Sequence, residues 1–254
     1  MKVIITAAGF GTRFLNYGIN IPKYLIKVKG ITLLEHSLKS LGDFFNHEFI
    51  FVFRNIENEN KIKEIIENTF NTKNEKIKNY KILNISHPTK GQADTVLKCD
   101  EYIKNNDEPI LIFNIDTSII DPELFIKQED IDQRFDGIIY TTKASGNHWS
   151  FAKTVNNSNI VIEVAEKNRI SDNASIGLYY FKSFKKFCSI VNEFENQIIK
   201  NAKELYIIPI YNYLIKNNGL VVIKEIPVDN FLPLGTPEEI LKVDKNFLLE
   251  NKNV

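Results

Sequence analysis

The stretch AAGFGTRF (residues 7–14) decides how this chain of 254 residues is interpreted, because it joins a buried strand to a loop with two glycines. The apolar run Val3-Ile4-Ile5 precedes it and predicts the first strand. In doubly wound sheets, a loop at the carboxyl end of such a strand faces the ligand crevice. Gly9 and Gly11 let backbone N–H groups approach an anion, and Arg13 adds a bidentate phosphate donor. The stretch therefore predicts a phosphate-binding loop.

Spacing excludes two common phosphate-binding motifs. A P-loop requires Lys followed by Ser or Thr after its last glycine, and no such pair follows Gly11. The dinucleotide fingerprint G-x-G-x-x-G requires a third glycine, and Phe14 occupies that position. The remaining pattern is A-A-G-x-G-T-R, followed after a short loop by Ile21-Pro22-Lys23. A structural turn with a surface arginine is the alternative interpretation.

The composition argues against a broad charged surface. The 32 basic and 32 acidic residues cancel, so we expect neither nucleic acid nor a membrane as a partner. Cys99 and Cys188 are far apart in amphipathic stretches, which indicates buried apolar side chains rather than a disulfide or a metal site. The first apolar run is too short for a signal peptide, and no apolar run is long enough to span a membrane. We therefore expect a cytoplasmic protein.

Strands and helices alternate along the first half, which favours parallel strands joined by right-handed helical crossovers. Thr32-Leu33-Leu34-Glu35 has the pattern of a capping box and predicts the start of a helix. The lysine- and asparagine-rich segment Asn71–Asn79 predicts a solvated loop. Strands are predicted at residues 3–6, 49–53, 80–85 and 109–115, and helices at 34–41, 62–70 and 96–103.

The second half contains shorter strands separated by turn residues, and then helices. Strands are predicted at residues 137–142, 149–155, 160–165, 174–181 and 220–226, and helices at 184–194, 204–215 and from 237 onwards. The whole pattern predicts an α/β fold with a Rossmann-like mixed, mostly parallel sheet flanked by helices. We expect one domain over residues 1–254.

The opening motif and Pro22-Lys23 together resemble the signature of the sugar-phosphate nucleotidylyltransferases, G-x-G-T-R followed further on by Pro-Lys. Those enzymes transfer a nucleoside monophosphate from a nucleoside triphosphate to a phosphorylated acceptor and release pyrophosphate. The resemblance implies a nucleotidyltransferase sheet of the GT-A-like type. It also implies that residues 1–145 bind the nucleotide and that residues 146–254 bind the acceptor.

Two later segments resemble nucleotide-binding parts of the same family. Gly91-Gln92-Ala93 resembles the segment that reads the base, with His87 just upstream. Asp116 follows an apolar strand and resembles the family's strand-end aspartate, where a carboxylate is well placed to hold Mg²⁺. The resemblance implies a nucleotide site made of Ala7, Ala8, Gly9, Gly11, Thr12, Arg13, Lys23, His87, Gly91, Gln92 and Ala93.

Acceptor-binding residues are implied further along the chain. Glu166-Lys167 resembles the pair whose lysine holds the acceptor phosphate and whose glutamate holds its organic part. Gly177 lies in a strand of small residues similar to the one that lines the acceptor pocket, and Gly235-Thr236-Pro237-Glu238 matches the family's late element. The implied catalytic residues are Arg13, Lys23, Asp116 and Lys167.

One position departs from the family pattern. Many members have a metal-binding aspartate two residues before the late Gly-Thr, and this chain has Pro233 there. Asp229 is the nearest carboxylate in the sequence and is our expected second ligand of Mg²⁺, although Asp116 with the triphosphate could suffice. The same departure is the one feature that favours a catalytically silent nucleotide-binding module.

The substrates are less well defined by the sequence. Similarity to short family members with a Gly-Gln-Ala segment implies CTP as donor and a role in capsule or surface-polysaccharide precursor synthesis, while UTP and dTTP stay open. We expect the acceptor to be a sugar 1-phosphate or a non-sugar phosphometabolite, for example choline phosphate or a phosphorylated amino acid such as phosphoglutamine. Trp149 is expected in the core and His148 in the core or the acceptor pocket. A homo-oligomer is compatible with the resemblance.

A glycosyltransferase of similar architecture is the main alternative among enzymes. Such enzymes usually present Asp-x-Asp to the metal, and the segment Asp116-Thr117-Ser118 lacks the second aspartate. They also lack the Pro-Lys pair. Both differences favour the nucleotidylyltransferase interpretation.

Overall fold

The computed structural model describes residues 1–71, 79–103, 107–132 and 134–252, so residues 72–78 of the predicted loop Asn71–Asn79 lie outside the described part. The strands are β1 (Lys2–Ala7), β2 (Lys27–Val28), β3 (Ile31–Thr32), β4 (Glu48–Arg54), β5 (Asn79–Ile85), β6 (Ile110–Asn114), β7 (Thr117–Ile119), β8 (Gly137–Lys143), β9 (Ser150–Thr154), β10 (Val161–Glu166), β11 (Asn173–Phe181), β12 (Val221–Glu225) and β13 (Phe231–Pro233). The helices are α1 (Thr12–Leu15), α2 (Leu33–Lys39), α3 (Glu59–Asn71), α4 (Gln92–Leu97), α5 (Pro122–Phe125), α6 (Phe184–Ala202), α7 (Ile210–Lys216), α8 (Pro237–Val243) and α9 (Phe247–Lys252).

Nine of the described strands form one mixed sheet. Strands β5, β4, β1 and β6 are parallel neighbours in that order. Strand β11 then runs antiparallel to β6 and also pairs with β8 and β9, while β12 lies parallel to β8 and β10 lies antiparallel to β9. The predicted fold class, a mixed sheet built on a parallel Rossmann-like half and flanked by helices, is confirmed.

Both faces of the parallel strands are covered, which explains their continuous apolar sequences. Side chains alternate between the two faces of a strand, so Val3 and Ile5 pack with Phe51 and helices α2 and α3, whereas Ile4 packs with Ile50 and helices α4, α6 and α7. All five of these side chains are fully buried. Each contributes about 1.5–3 kcal/mol through the transfer of its apolar surface from water.

A third apolar cluster connects the beginning of the chain to its end. Phe14 of α1 is buried with Leu234, with Ile240 of α8 and with Phe247 of α9. The Tyr17 hydroxyl also donates a hydrogen bond of 2.7 Å to Glu238 Oε1. These contacts fix the late Gly-Thr-Pro-Glu element beside the opening loop.

Several element boundaries differ from the predicted ones. Helix α7 begins at Ile210 rather than near residue 204, because Pro209 occupies its N-cap position and disfavours helical backbone in the preceding residue. Helix α4 ends at Leu97, and Asp100–Tyr102 forms a separate 3₁₀ turn. Helix α6 instead continues to Ala202. The capping box before α2 is confirmed, since Thr32 and Glu35 bond each other's backbone N–H groups.

Helix α2 and its C-cap residue Ser40 place polar side chains beside the end of β6 and the segment that follows it. Ser37 Oγ donates to the Asn114 carbonyl at 2.8 Å, and Ser40 Oγ accepts from the Ile119 N–H at 2.9 Å. The buried His36 ring lies 3.2 Å from Ser118 Oγ through Nδ1 and 3.0 Å from the Val28 carbonyl through Nε2. Helix α2 thereby anchors both sides of the backbone that carries Asp116.

The cysteines behave as apolar side chains, as predicted. Both are free, Cys99 being buried and Cys188 half-buried. Burial raises the pKa of the Cys99 thiol far above its ordinary value and that of Cys188 to about 12. None of the helices in the described part of the chain combines the length and apolar character needed to cross a bilayer.

Unfolding free energy is expected to decrease as the pH falls below about 6.5. Burial lowers the pKa of His36 and of His47 below their ordinary value of 6.5, so the unfolded chain binds protons that the folded chain does not. Urea unfolding at about pH 7.5 and about pH 5.5 measures the effect. The His36→Gln variant should lose less stability between these pH values than the unaltered protein does. Equal pH dependence in the variant and the unaltered protein would contradict this assignment.

Candidate active site

A cleft of about 610 Å³ opens at the carboxyl ends of β1 and β6. This is the end of a parallel sheet at which α/β proteins bind ligands. The opening loop, the entrance of α4, the segment after β6, strands β9–β11 and the late element all contribute to its wall. It is lined by the predicted residues Ala8, Gly9, Gly11, Thr12, Arg13, Lys23, Gly91, Gln92, Asp116, Glu166, Lys167 and Gly177.

The opening loop has a left-handed backbone at Gly11, a conformation that favours glycine. Gly11 has φ +64°, and a Cβ at this position would lie 3.4 Å from the Lys23 Cβ. A Cβ at Gly9 would meet no atom within 4 Å, so this residue borders open space. Arg54 supports the loop from the neighbouring strand β4. Its Nε donates to the Ala8 carbonyl at 3.2 Å, and its Cζ lies 3.8 Å from the centre of the Phe10 ring.

Lys23 and Asp116 form an ion pair inside the cleft. The Nζ–Oδ2 distance is 2.5 Å, and the two side chains are only 15% and 26% exposed. Lys23 begins the 3₁₀ turn that follows Pro22, whereas Asp116 lies between β6 and β7. Two segments far apart in the sequence therefore bring a cation and a carboxylate to one point. When a ligand is bound, Lys23 could pair with an anionic group of the ligand and Asp116 with a cation, in place of their pairing with each other.

The segment at Gly91 is held by the backbone of Leu205. The Leu205 N–H donates to the Lys90 carbonyl, and the Ala93 N–H donates to the Leu205 carbonyl, both at 2.9 Å. Gln92 extends to the end of β1, where Nε2 donates to Thr6 Oγ1 at 3.0 Å. These contacts fix the start of α4 against the first strand and leave Gly91 and Gln92 at the cleft wall.

A polar network surrounds Lys167 on the acceptor side. Lys167 Nζ donates to the Tyr206 hydroxyl at 2.6 Å, and that hydroxyl donates to Glu204 Oε1 at 3.0 Å. Burial lowers the pKa of Lys167, but the hydrogen bond that Lys167 donates to Tyr206 and the nearby carboxylates outweigh it and raise the pKa overall. The Glu166 carboxylate is 8% exposed and accepts a hydrogen bond from Ser150. Burial raises the pKa of Glu166.

Strand β11 bends where it enters the cleft. Gly177 has φ +83° between the two registers in which β11 pairs with β8. A Cβ here would overlap the Asn114 side chain, whose Nδ2 would be 2.0 Å away. Gly177 therefore allows the end of β6 to lie directly against the middle of β11. Trp149 lies beside them, lining the cleft and packing edge-on against Phe231 at 5.7 Å between ring centres.

Four predicted residues are not brought to the cleft wall. Ala7 and Ala93 are buried in the core, and His87 is exposed. Asp229 lies in the 3₁₀ turn Val228–Asn230, outside the lining of the cleft. Pro233 does line the cleft, because β13 pairs with β7 and places Pro233 opposite Thr117.

Other lining residues were not predicted, and sequence offers only weak signals for them. Glu239 lies near Asp116 and follows the late Gly-Thr-Pro-Glu element by one position. Glu204 and Tyr206 lie in an irregular segment before α7. His148, which was expected in the core or the acceptor pocket, is exposed and lies at the cleft, with its ring centre 4.5 Å from that of Trp149, which was expected in the core and also lines the cleft. Arg54, which supports the opening loop, was not predicted either. Its one sequence signal is that it is a basic residue at the end of β4, the strand beside β1.

The chemistry of the cleft fits a hard divalent cation such as Mg²⁺, which prefers carboxylate and phosphate oxygens. Asp116 provides a carboxylate beside open space at Gly235. Within the described ranges no group of three or more His, Cys, Asp or Glu side chains is arranged to hold a metal ion. A cation here would therefore need oxygens from a bound substrate as well.

A protein-family model described as "Nucleotidyl transferase" matches residues 2–207. Among solved structures, a nucleoside-diphosphate-sugar pyrophosphorylase from Vibrio cholerae RC9 is 32% identical with a TM-score of 0.82, covering 98% of this chain and 100% of that one. The inositol-1-phosphate CTP transferase from T. maritima is 16% identical with a TM-score of 0.71, covering 99% of this chain and 96% of that one, and shows a shared fold only.

One curated relative also matches along nearly the whole chain. The "Bifunctional protein GlmU" of Methanococcus aeolicus is 27% identical over 252 residues, which cover 98% of this chain and 54% of the relative. The chain thus spans about half the length of that relative.

Proposed function

Because the chain belongs to the nucleotidyl transferase family, we propose that it transfers CMP from CTP to the phosphate of a small phosphorylated acceptor and releases pyrophosphate. Membership of the family identifies the chain as a nucleotidyltransferase. What we propose beyond that is the donor CTP, the class of acceptor and the pathway. One observation carries it: Arg13, Lys23, Asp116 and Lys167 come from four separate segments and line one cleft. Such a set of charges suits a triphosphate and a second phosphorylated molecule bound side by side.

The reaction requires two anions to meet, so the cleft must first offset their repulsion. An acceptor phosphate oxygen attacks the α-phosphorus in line with the departing pyrophosphate, and no protein nucleophile is needed. Backbone N–H groups of the opening loop and Arg13 bind the pyrophosphate part, and Lys23 stabilises the charge around the α-phosphate. Lys167 holds the acceptor phosphate in position for attack. A divalent cation bound at Asp116 would supply further charge neutralisation on the phosphate oxygens.

The choice of acceptor rests on the pocket between β9, β10 and the residues before α7. Glu166 is a buried carboxylate with one hydroxyl donor from Ser150, so it suits an acceptor that presents hydroxyl or N–H donors. A sugar 1-phosphate satisfies this requirement, and so does a phosphorylated amino acid. The 32% identical relative named for nucleoside-diphosphate-sugar chemistry supports an acceptor of this class, and CTP as donor rests on the similarity to short family members with a Gly-Gln-Ala segment. We place the reaction in the cytoplasm, in the synthesis of capsule or surface-polysaccharide precursors.

Pyrophosphate release tests the proposal directly. The protein is incubated with Mg²⁺, one nucleoside triphosphate and one acceptor at a time, taken from sugar 1-phosphates, choline phosphate and phosphorylated amino acids. We expect release with CTP and one acceptor class. Absence of release with every pair would favour a silent nucleotide-binding module, and sugar transfer from a preformed nucleotide sugar would favour a glycosyltransferase.

A thermal-shift screen selects the donor beforehand, because a nucleotide at 100 times its Kd stabilises the folded state by about 2.7 kcal/mol.

Lys167→Ala is expected to lower kcat/KM for the acceptor by about 10- to 100-fold, the cost of one hydrogen bond to a charged group. KM for the nucleotide should change little, because Lys167 lies on the acceptor side of the cleft. Steady-state kinetics with each substrate varied in turn measures both values. Lys153→Ala is the matched control, since Lys153 is an exposed lysine paired with Glu163 on the neighbouring hairpin. Equal losses for both substrates would contradict the assigned role.

A further inference from the structure

A carboxylate that the sequence pattern did not indicate lies near Asp116 in the cleft. Pro233 occupies the position where a second metal-binding aspartate is expected, and proline has no side-chain ligand. Asp229 is held away from the cleft in the turn Val228–Asn230. Glu239, in the first turn of α8, does line the cleft and has a side chain only 17% exposed.

Glu239 and Asp116 face the same small space beside Gly235. A Cβ built on Gly235 would lie 3.3 Å from Asp116 Oδ2 and 3.4 Å from Glu239 Oε2. Gly235 is not among the glycines with positive φ, so the backbone does not require glycine at this position. The absence of a side chain therefore keeps open a gap bordered by two carboxylate oxygens.

The surroundings of Glu239 leave its charge poorly compensated. Its Oε2 accepts a hydrogen bond of 3.0 Å from the Gly235 N–H, and its own N–H donates to Thr236 Oγ1 at 3.1 Å. In the described part of the chain, the one basic group within 4 Å of the Glu239 carboxylate is the exposed His148 ring, whose Nε2 lies 3.9 Å from Glu239 Oε1. Lys23 compensates Asp116 instead. Asp116 Oδ2, the oxygen that borders the gap, is the one paired with Lys23, so Glu239 is the carboxylate there whose charge a bound cation would offset.

We propose that Glu239 acts with Asp116 as a direct ligand of the divalent cation, in place of the aspartate that many family members have at the position of Pro233. The inference rests on the proposed nucleotidyl transfer and assigns the second protein ligand for its metal. Hard cations such as Mg²⁺ and Mn²⁺ take oxygen ligands of this kind from one or two carboxylates and complete their coordination with phosphate oxygens and water. The contacts of α1 with α8 and α9 hold Glu239 beside the phosphate-binding loop.

A Mn²⁺ titration of the purified protein, followed by the electron paramagnetic resonance signal of the free ion, tests the proposal without turnover. Titrations are made with Mn²⁺ alone and with inorganic pyrophosphate added. Glu239→Gln should weaken Mn²⁺ binding by at least about tenfold, since even outer partners of metal ligands contribute 10- to 100-fold. The glutamine carbonyl can still accept from the Gly235 N–H, so the start of α8 is preserved. Glu238→Gln is the matched control, because Glu238 is the exposed neighbouring residue that accepts a hydrogen bond from Tyr17. The Mn²⁺ affinity of this variant should equal that of the unaltered protein.

Gly235→Ala provides a second variant that keeps both carboxylates and the helix cap. Its methyl group would enter the gap and should also weaken Mn²⁺ binding, with unfolding temperature measured alongside as the check on folding. Wild-type Mn²⁺ affinity in Glu239→Gln and Gly235→Ala would overturn the proposal, and so would no Mn²⁺ binding by the unaltered protein. Failure of the proposed function is a different result, namely no pyrophosphate release by an unaltered protein that does bind Mn²⁺ at this site.

Discussion

Lys23→Ala is expected to lower kcat for the proposed pyrophosphate release by roughly 10²-fold or more, the size of losing one preorganised electrostatic group. Lys23 is largely shielded from solvent and has its Nζ 2.5 Å from the Asp116 carboxylate. A group in such surroundings interacts strongly with a developing charge, because little water screens it. The variant also leaves Asp116 without its cation, so the triphosphate would meet an uncompensated carboxylate.

Single-turnover and steady-state measurements of pyrophosphate release, at saturating substrates, check this prediction. Lys63→Ala is the matched control, because Lys63 forms an exposed ion pair with Glu59 on helix α3 and should leave kcat unchanged. Lys23→Arg should recover part of the loss, since it keeps the charge but changes the geometry. An unchanged kcat in Lys23→Ala would remove Lys23 from the chemistry.

Gly91→Ala is expected to lower the free energy of unfolding by about 3 kcal/mol and to disturb nucleotide binding with it. A Cβ at Gly91 would lie 2.6 Å from both the backbone nitrogen and the carbonyl oxygen of Leu205. Those two backbone groups cannot rotate away as a side chain can, because the Leu205 N–H is hydrogen-bonded to Lys90 and the Leu205 carbonyl to Ala93, both within two positions of Gly91. The φ of +150° adds strain for any residue with a side chain.

Urea unfolding of the variant measures this loss, and Gly9→Ala is its matched control. A Cβ at Gly9 meets no atom within 4 Å, so that variant should change the unfolding free energy by less than about 0.5 kcal/mol. Its methyl group would nevertheless point into the space assigned to the nucleotide. Gly9→Ala should therefore weaken nucleotide binding at unchanged stability. Wild-type stability in Gly91→Ala would show that the Leu205 contact is not rigid.

Most of the sheet could be predicted from the sequence because its strands are short, apolar and bounded by turn residues. Runs such as Phe49–Phe53 and Ile110–Phe113 are buried on both faces, and that environment leaves a clear compositional signal. The capping box at Thr32 was equally clear, since its hydrogen bonds join residues three positions apart. Strands β7 and β13 were missed because they are three residues long and pair across more than a hundred residues.

The residues of the candidate site also fall into two groups, those that a local sequence pattern indicates and those that only tertiary packing brings to the cleft. Arg13 and Lys23 could be predicted because they belong to a motif with characteristic spacing, and Asp116 because it directly follows an apolar strand; all three line the cleft. Glu239 could not, because only the packing of α8 against α1 brings it near Asp116, and no local pattern encodes that contact. His87 follows strand β5 closely in sequence, but its side chain is exposed and lies outside the cleft wall. Sequence proximity to a motif does not determine the direction of a side chain.

The most direct test of the central claim is a crystal structure of the protein with Mg²⁺ and a non-hydrolysable analogue of the nucleotide that gives the largest thermal shift. The account predicts the triphosphate against the backbone of residues 8–13, with Arg13 and Lys23 within hydrogen-bond distance of its oxygens and the cation on Asp116. A nucleotide bound elsewhere, for example in the separate cavity of about 390 Å³ beside Pro109 and Phe187, would contradict it.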